Sequence, residues 1–225
     1  MPNYAGKSEE EVLTSDQPEG TGGTGVPKET MDAMIAQAYQ VHQSGQSARA
    51  ESLYRQVLHA DAKNVVANNL FGMLCLQTKR FDEAAYHIEK ALAESPDDAQ
   101  AHSNLGIALK DLGRSQEAAK HFHESLKLDP NNPKVYNNLG SIYIVLRRLD
   151  DAITCFQQSL AIQPASAEVH HNLGSAFMYL RRYAEAVASL QQCLALKPDF
   201  AEGRIKLEQA LQALRNSQSA PRNHV

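Results

Sequence analysis

The stretch VYNNLGSIYIVLRR at residues 135–148 returns 34 residues later as VHHNLGSAFMYLRR at residues 169–182. The same interval separates other small residues and prolines along the chain: Gly72, Gly106, Gly140 and Gly174; Pro96, Pro130, Pro164 and Pro198; and Ala50, Ala84, Ala118, Ala152 and Ala186. A fixed period of this length predicts a solenoid of stacked structural units. We count positions within a unit from Met31, Val65, Ala99, Pro133 and Ala167.

Each unit has the pattern of two short helices. In the third unit, apolar residues fall at i, i+3, i+4 and i+7, namely Leu105, Ala108, Leu109 and Leu112, which predicts an amphipathic helix. Gly113 ends that helix, and a second apolar pattern runs from Gln116 to Leu128. The following DPNNP at residues 129–133 ends the second helix with proline and offers an asparagine cap to the next one.

Small residues at positions 8 and 20 indicate where the two helices of a unit approach each other. Position 20 is alanine in all five units, and position 8 is glycine in four of them and Ala38 in the first. A larger side chain at Ala118 is expected to overpack the contact and cost about 1–3 kcal/mol. Leucine at position 7, as in Leu105, fills the remaining space, and its truncation to alanine is expected to cost about 2–5 kcal/mol.

Taken together, these columns resemble the tetratricopeptide repeat: a large residue at position 4, leucine at 7, glycine at 8, alanine at 20, an aromatic or aliphatic residue at 24 and proline at 32. The resemblance covers residues 31–200 and implies an all-α fold, a right-handed α-solenoid of five helix pairs (31–64, 65–98, 99–132, 133–166 and 167–200). Residues 201–215 resemble a sixth first helix with Glu208 in place of the small residue, which predicts a capping helix. Residues 1–30 and 216–225 are expected to be disordered tails.

Charge and composition exclude several classes of partner. Residues 1–30 carry six acids and two bases, while the remaining 20 acids and 20 bases balance. The body therefore has no electrostatic footprint for nucleic acid and no basic stripe for a membrane surface. No apolar run is long enough to span a bilayer, and the first residues lack a signal-peptide pattern. We expect a soluble cytoplasmic protein without direct membrane insertion.

No residue pattern indicates catalysis, a cofactor or a metal site. Cys75, Cys155 and Cys193 occupy apolar columns, which favours buried free thiols over nucleophiles or ligands. His170 and His171 are adjacent and point about 100° apart on a helix, so they cannot chelate one metal together. No Ser–His–Asp order, paired acids or phosphate-binding glycine fingerprint stands out. We predict that the protein is not an enzyme.

The resemblance places partner binding in a concave groove lined by the first helices, at positions 2, 5, 6, 9, 12 and 13. Position 6 is asparagine in three successive units: Asn104, Asn138 and Asn172. Asparagine is a poor helix former that offers both a donor and an acceptor. The row is similar to the asparagine ladder of O-linked N-acetylglucosamine transferases, which implies contact with the backbone of an extended peptide. The alternative is that asparagine before Leu-Gly is merely common in this family.

Other groove positions complete the predicted binding surface. Polar and aromatic candidates are Asn69, Asn137, Lys110, Lys134, His171 and Tyr179. The second repeat is apolar instead, with Val66, Leu70, Met73 and Leu76. Such a group favours a hydrophobic partner segment or self-association. Coverage by the degenerate first repeat or the N-terminal tail is an equally good interpretation.

The favoured function is a non-catalytic scaffold that binds a protein or peptide segment, extended or helical, in the groove. One alternative is a substrate-recruiting partner or relative of an O-linked glycosyltransferase. Another is a self-assembling scaffold that resembles magnetosome-associated tetratricopeptide proteins, which leaves a homo-oligomer open. The carboxylate clamp of chaperone-binding relatives is not expected, because position 5 holds no lysine in any unit.

Overall fold

A computed structural model of the chain describes residues 26–219. This part folds into eleven α-helices and contains no strand. The helices are α1 Lys28–Gln43, α2 Ser47–Ala60, α3 Val65–Gln77, α4 Phe81–Glu94, α5 Ala99–Asp111, α6 Ser115–Leu128, α7 Pro133–Val145, α8 Leu149–Ile162, α9 Ala167–Tyr179, α10 Tyr183–Leu196 and α11 Ala201–Ser219. The prediction of an all-α solenoid of helix pairs with a final helix is confirmed.

The two terminal helices are longer than the sequence predicted. The first begins at Lys28, inside the predicted tail 1–30, because the backbone of Thr30 and Met31 already donates to the carbonyl of Pro27. The last continues to Ser219, inside the predicted tail 216–225. The first helix-breaking residue after position 215 is Pro221, so nothing in the sequence stops the helix earlier. Residues 1–25 and 220–225 of the predicted tails lie outside the described residues.

Each turn between the two helices of a unit closes in the same way. In the second unit the amide of Arg80 donates to the carbonyl of Cys75, and the amide of Lys79 donates to that of Leu76. This is the Schellman arrangement, which needs a left-handed residue at position 15. That residue is Gly45, Lys79, Gly113, Arg147 or Arg181, with φ between 58° and 79°. In three units this residue is therefore a lysine or an arginine, although glycine adopts a positive φ with the least strain.

The helices of a unit pack through position 8 against position 24. A Cβ atom added to Gly106 would lie 2.7 Å from Phe122, and one added to Gly140 would lie 2.6 Å from Phe156. In the second and fifth units the backbone carbonyl of the position-20 alanine is also close, at 3.3 Å. The small column at position 8 therefore makes room chiefly for the position-24 side chain, while position 20 is fully buried beside it.

Polar side chains at position 4 tie three of the units to the preceding turn. Asn68 donates from Nδ2 to the carbonyl of Ala62, and His102 and His170 donate from Nε2 to the carbonyls of Pro96 and Pro164. The sequence indicated only a large side chain at this position. The final helix repeats the bond through Arg204 and Pro198. The side chain at position 4 thus donates a hydrogen bond to the carbonyl at position 32 of the preceding unit. That carbonyl lies just before the first helix of the next unit begins.

One apolar core runs from α1 through α11, with a small separate cluster of Ile35, Val57 and Ala67 at the N-terminal end. Gly203 and Ala210 are buried, and they lie on the side of α11 that faces the core. Its other side stays open: Glu208 is exposed, as the capping-helix prediction expected, and so is Ile205. A charged residue therefore faces solvent at the position where the other first helices carry a small residue.

Candidate functional site

Contacts between helices show which side of the stack is concave. First helices touch their counterparts two places along the chain: α1 with α3, α3 with α5, α5 with α7, α7 with α9, and α9 with α11. Within residues 26–219, the backbones of second helices do not come this close to each other, and α2 and α4 are joined instead by the long side chains of Arg55 and Glu83. The first helices are therefore closer together, so the stack curves with them on its inner side. The predicted groove positions lie on these inner helices.

The asparagine row at position 6 is not uniform. Asn104 is only 5% exposed, and its Oδ1 accepts a hydrogen bond of 2.9 Å from Gln100 Nε2. Its Nδ2 atom is buried and has no hydrogen-bond partner among the described residues. Asn138 and Asn172 are half-buried. The three side chains therefore occupy the same column but differ in what they could offer to a ligand.

The other two asparagines of the row are held by polar neighbours. Asn138 accepts from Lys110 Nζ over 3.4 Å through its Oδ1. Asn172 donates from Nδ2 to Asn137 Oδ1 over 3.0 Å, and Asn137 in turn donates to Glu168 Oε1 over 2.9 Å. A peptide that binds here would compete with bonds between repeats, because each bond joins one unit to the next.

Position 5 contacts residues at or near the start of the next first helix. Asn69 donates over 3.2 Å to Asp98, whose other oxygen caps the N-terminus of α5. The ring of His171 meets that of Phe200 edge to face, with centroids 5.1 Å apart. Burial lowers the pKa of His171. Asn69, Asn137 and His171, all predicted to contact a partner, thus serve the stacking of repeats in this structure.

The N-terminal apolar patch is Val66, Leu70, Met73 and Leu76, all on α3. Val66 is 54% exposed, and the other three are half-buried. Leu70 and Leu76 pack against the core from their buried sides. The structure therefore leaves Val66 largely open, whereas Leu70 also packs against a cluster that includes Ile35 and Val57 of the first repeat.

A second apolar patch lies at the other end of the groove. This C-terminal apolar patch comprises Ile144 and Val145 at the end of α7 and Met178 and Tyr179 at the end of α9. Val145 is 66% exposed and Tyr179 is 54% exposed, with the guanidinium of Arg147 5.6 Å from the tyrosine ring centroid. Of these residues, only Tyr179 was among the predicted binding residues. Val145 was missed although it occupies the same position 13 one unit earlier.

Three more side chains at groove positions differ in how far they are exposed to solvent. Lys134, at position 2, is exposed, and Lys110 is half-buried beside Asn138. Tyr39, at position 9 of the first unit, is 42% exposed and was also missed. The signal for Tyr39 was available, because position 9 belongs to the groove columns, but the degenerate first unit obscured it.

The three cysteine thiols are shielded from solvent. All three cysteines are free and buried, and burial raises the pKa of Cys75 to about 12 and that of Cys155 to about 11. A thiol with such a pKa forms little thiolate at neutral pH. In the part of the chain that the structure describes, no three His, Cys, Asp or Glu side chains are arranged to hold a metal ion. No described helix is both long and apolar enough to cross a membrane.

Comparison with protein families follows the same repeat boundaries. Three family models, each described as tetratricopeptide repeat, match residues 41–105, 99–132 and 132–199. The chain belongs to the tetratricopeptide repeat family. The matches together span α2 to α10 completely, so the columns at positions 7, 8, 20 and 32 in this tetratricopeptide repeat protein carry the family pattern.

Solved structures agree with this fold. YrrB, described as a tetratricopeptide repeat protein with an unusual peptide-binding site, is 21% identical, with a TM-score of 0.69 over 81% of this chain and 90% of its own. MamA is 22% identical, with a TM-score of 0.70 over 77% of this chain and 95% of its own. TTC0263 of Thermus thermophilus is 18% identical, with a TM-score of 0.60 over 81% and 99%. A comparison with curated protein sequences gave no match. At these identities the structures show a shared fold.

Proposed function

We propose that this tetratricopeptide repeat protein is a non-catalytic scaffold whose inner face binds a segment of another protein. The observation that carries the proposal is the exposure of large apolar side chains at groove positions of the first helices, above all Val66 and Tyr179. Exposed apolar groups that line a concave surface are typical of peptide and protein binding sites. A peptide-binding site is described for YrrB, which shares the fold, and this supports peptide binding as a use of the fold.

Polar groups of the inner face suit a polypeptide ligand. The amides of Asn138 and Asn172 have one atom engaged with a neighbouring unit, and a primary amide can make further hydrogen bonds through the other. Each net bond contributes about 1 kcal/mol, whereas a micromolar complex needs about 8 kcal/mol. The asparagines can therefore align a ligand, and burial of apolar side chains must supply most of the affinity.

A display library of random peptides, selected on the purified full chain, tests the proposal. Selected peptides should bind in a fluorescence anisotropy titration, and Val66→Ser and Tyr179→Ala should each weaken them at least about tenfold. Tyr86→Ala is a matched control, because Tyr86 is 53% exposed on the second helix α4 and Tyr179 is 54% exposed on a first helix.

Two results would contradict a peptide-binding inner face. The first is a selection that enriches no peptide. The second is a set of peptides that Tyr86→Ala weakens as much as Tyr179→Ala does, which would place the site on the outer face. Light scattering of the same samples tests for self-association. A rise in molecular mass with concentration that Val66→Ser abolishes would assign the surface to a second copy of the chain.

A further inference from the structure

The inner face alternates in polarity along the stack. The N-terminal apolar patch lies on α3, and the C-terminal apolar patch lies at the ends of α7 and α9. Between them, the groove positions of α5 and the start of α7 are mostly polar: Gln100, Asn104, Lys110, Lys134 and Asn138. A ligand that follows the groove across the repeats would therefore meet apolar, polar and apolar surfaces in turn.

Asn104, in the polar middle, has an unused donor. Its side chain is 5% exposed, Oδ1 is bonded to Gln100, and Nδ2 is buried without a partner among residues 26–219. A buried donor that makes no hydrogen bond destabilises the free protein, so a ligand that supplies an acceptor gains that bond in full. Gln100, which donates to Oδ1 of Asn104, is exposed, so a ligand can displace it at the cost of one solvent-accessible hydrogen bond.

The form of the ligand follows from this donor. In a helix the backbone carbonyls before the last turn are bonded within the helix itself, so only the C-terminal end of a bound helix would offer Asn104 a main-chain acceptor. An extended segment leaves its carbonyls free and projects side chains toward both ends of the groove. The polar middle therefore favours an extended backbone, whereas the two apolar patches call for apolar side chains.

We infer that the partner is an extended segment with two apolar anchor residues that flank a stretch read through its backbone. This inference deepens the proposed function and rests on it. Adjacent packed helices lie about 8–10 Å apart, so α3 is separated from α7 and α9 by about 16–30 Å. An extended chain rises about 3.3 Å per residue, which places the two anchors roughly five to nine residues apart.

The test uses peptides selected on the full chain. Enriched sequences should carry two apolar residues with this separation, and alanine at either one should weaken binding at least about tenfold. In double-mutant cycles, one anchor should couple to Val66→Ser and the other to Tyr179→Ala. The Cα chemical shifts of a ¹³C-labelled bound peptide should be those of extended backbone.

Asn104→Ala tests the polar middle separately. It removes an unpaired donor, so the melting temperature should stay within a few degrees of the unmodified chain while the Kd of the selected peptides rises at least about tenfold. Asn131→Ala, at an exposed asparagine in the turn before α7, should leave the Kd unchanged. Ester replacement of the peptide bond nearest Asn104 should weaken binding of the unmodified chain and not of Asn104→Ala.

The outcomes separate this inference from the proposed function. Peptides that bind as helices, with apolar residues every three or four positions, would overturn the inference and leave peptide binding by the inner face intact. Affinity that depends on one patch alone, or an Asn104→Ala chain that binds normally, would do the same. A chain that selects no peptide would overturn both.

Discussion

The ring of Phe122 occupies the space where a side chain on Gly106 would stand, with Cε1, Cδ1 and Cζ all 2.7–2.9 Å from the place of the missing Cβ. Phe122 is fully buried, so it cannot relax into solvent. The same pairing of Phe156 with Gly140 one unit later shows that the arrangement belongs to the repeat. The two residues are 16 positions apart and fix the distance between α5 and α6.

Gly106→Ala should therefore destabilise the protein, because the added methyl group forces a buried ring to move. Overpacking costs about 1–3 kcal/mol, which outweighs the gain of about 1 kcal/mol that alanine has over glycine in helix propensity. Urea denaturation of the variant measures the change. Phe122→Leu combined with Gly106→Ala should cost less than the sum of the two single substitutions, and strict additivity would contradict the contact.

The left-handed residue at position 15 gives two opposite predictions. Gly113→Ala should lose about 1 kcal/mol through backbone strain alone, because no atom lies within 4 Å of the added Cβ. Arg181→Gly should gain up to about 1 kcal/mol, since Arg181 has a φ of 58°. Both are read as shifts of the urea midpoint. A stabilising Gly113→Ala would show that the turn is not held in this conformation.

Acid should weaken the folded state through a pair of histidines. Nδ1 of His102 and Nδ1 of His121 are 3.0 Å apart, while Nε2 of His102 donates to the carbonyl of Pro96. The centroids are 5.3 Å apart and the ring planes differ by 26°, so the rings meet nearly edge to edge with one hydrogen between the two nitrogens. Burial, and then the nearby His102, lower the pKa of His121.

The sign of the effect follows from proton uptake. Because the pKa of His121 is lowered in the folded chain, the unfolded chain binds more protons below the ordinary value of 6.5. The free energy of unfolding should be greatest above pH 6.5 and should decline as the pH falls below it toward the lowered pKa. Burial lowers the pKa of His87 and His171 in the same direction.

Urea midpoints between about pH 5 and 7.5 would measure this dependence. His121→Gln should make it shallower, whereas His59→Gln, at an exposed histidine of α2, should leave it unchanged. An equal pH dependence in the chain with His121→Gln would show that the pair is not a source of the acid sensitivity.

The cysteines should resist modification in the folded chain. Desolvation raises the pKa of all three thiols, most strongly at Cys75, and their burial blocks access. A disulfide reagent should therefore react at least about tenfold more slowly with the native protein than with a chain unfolded in guanidinium. In the unfolded chain, three thiols per molecule should react with the reagent. Rapid reaction of any one thiol in the native protein would reveal an opening near that residue.

Periodicity was sufficient to predict the helix pairs, because the columns at positions 7, 8, 20 and 32 serve contacts inside the protein. It could not show that Phe122 rather than Ala118 is nearest to Gly106, since that depends on the crossing of two helices in space. It also missed the role of His102 at position 4, because a hydrogen bond to the preceding proline carbonyl leaves no pattern of hydrophobicity.

The groove was harder to predict than the core. The spacing placed Asn104, Asn138 and Asn172 in one column, but equal spacing does not imply equal exposure. Asn104 differs from the other two in that Gln100, on the same helix, donates a hydrogen bond to it. Asn137 lies in a groove column and yet joins two units, while Asn69 and His171 contact the residue just before the next first helix. Whether any of these residues contacts a partner stays a prediction.

Helices of residues 26–219 contact only helices one or two places away along the chain. The mechanical link between the N-terminal and C-terminal halves therefore runs through α5 and α6, and local opening of that pair would let the halves rotate independently. A polypeptide held at both ends of the inner face would bridge this link and oppose its opening. The force needed to extend the chain by its two ends should then depend on whether the inner face is occupied.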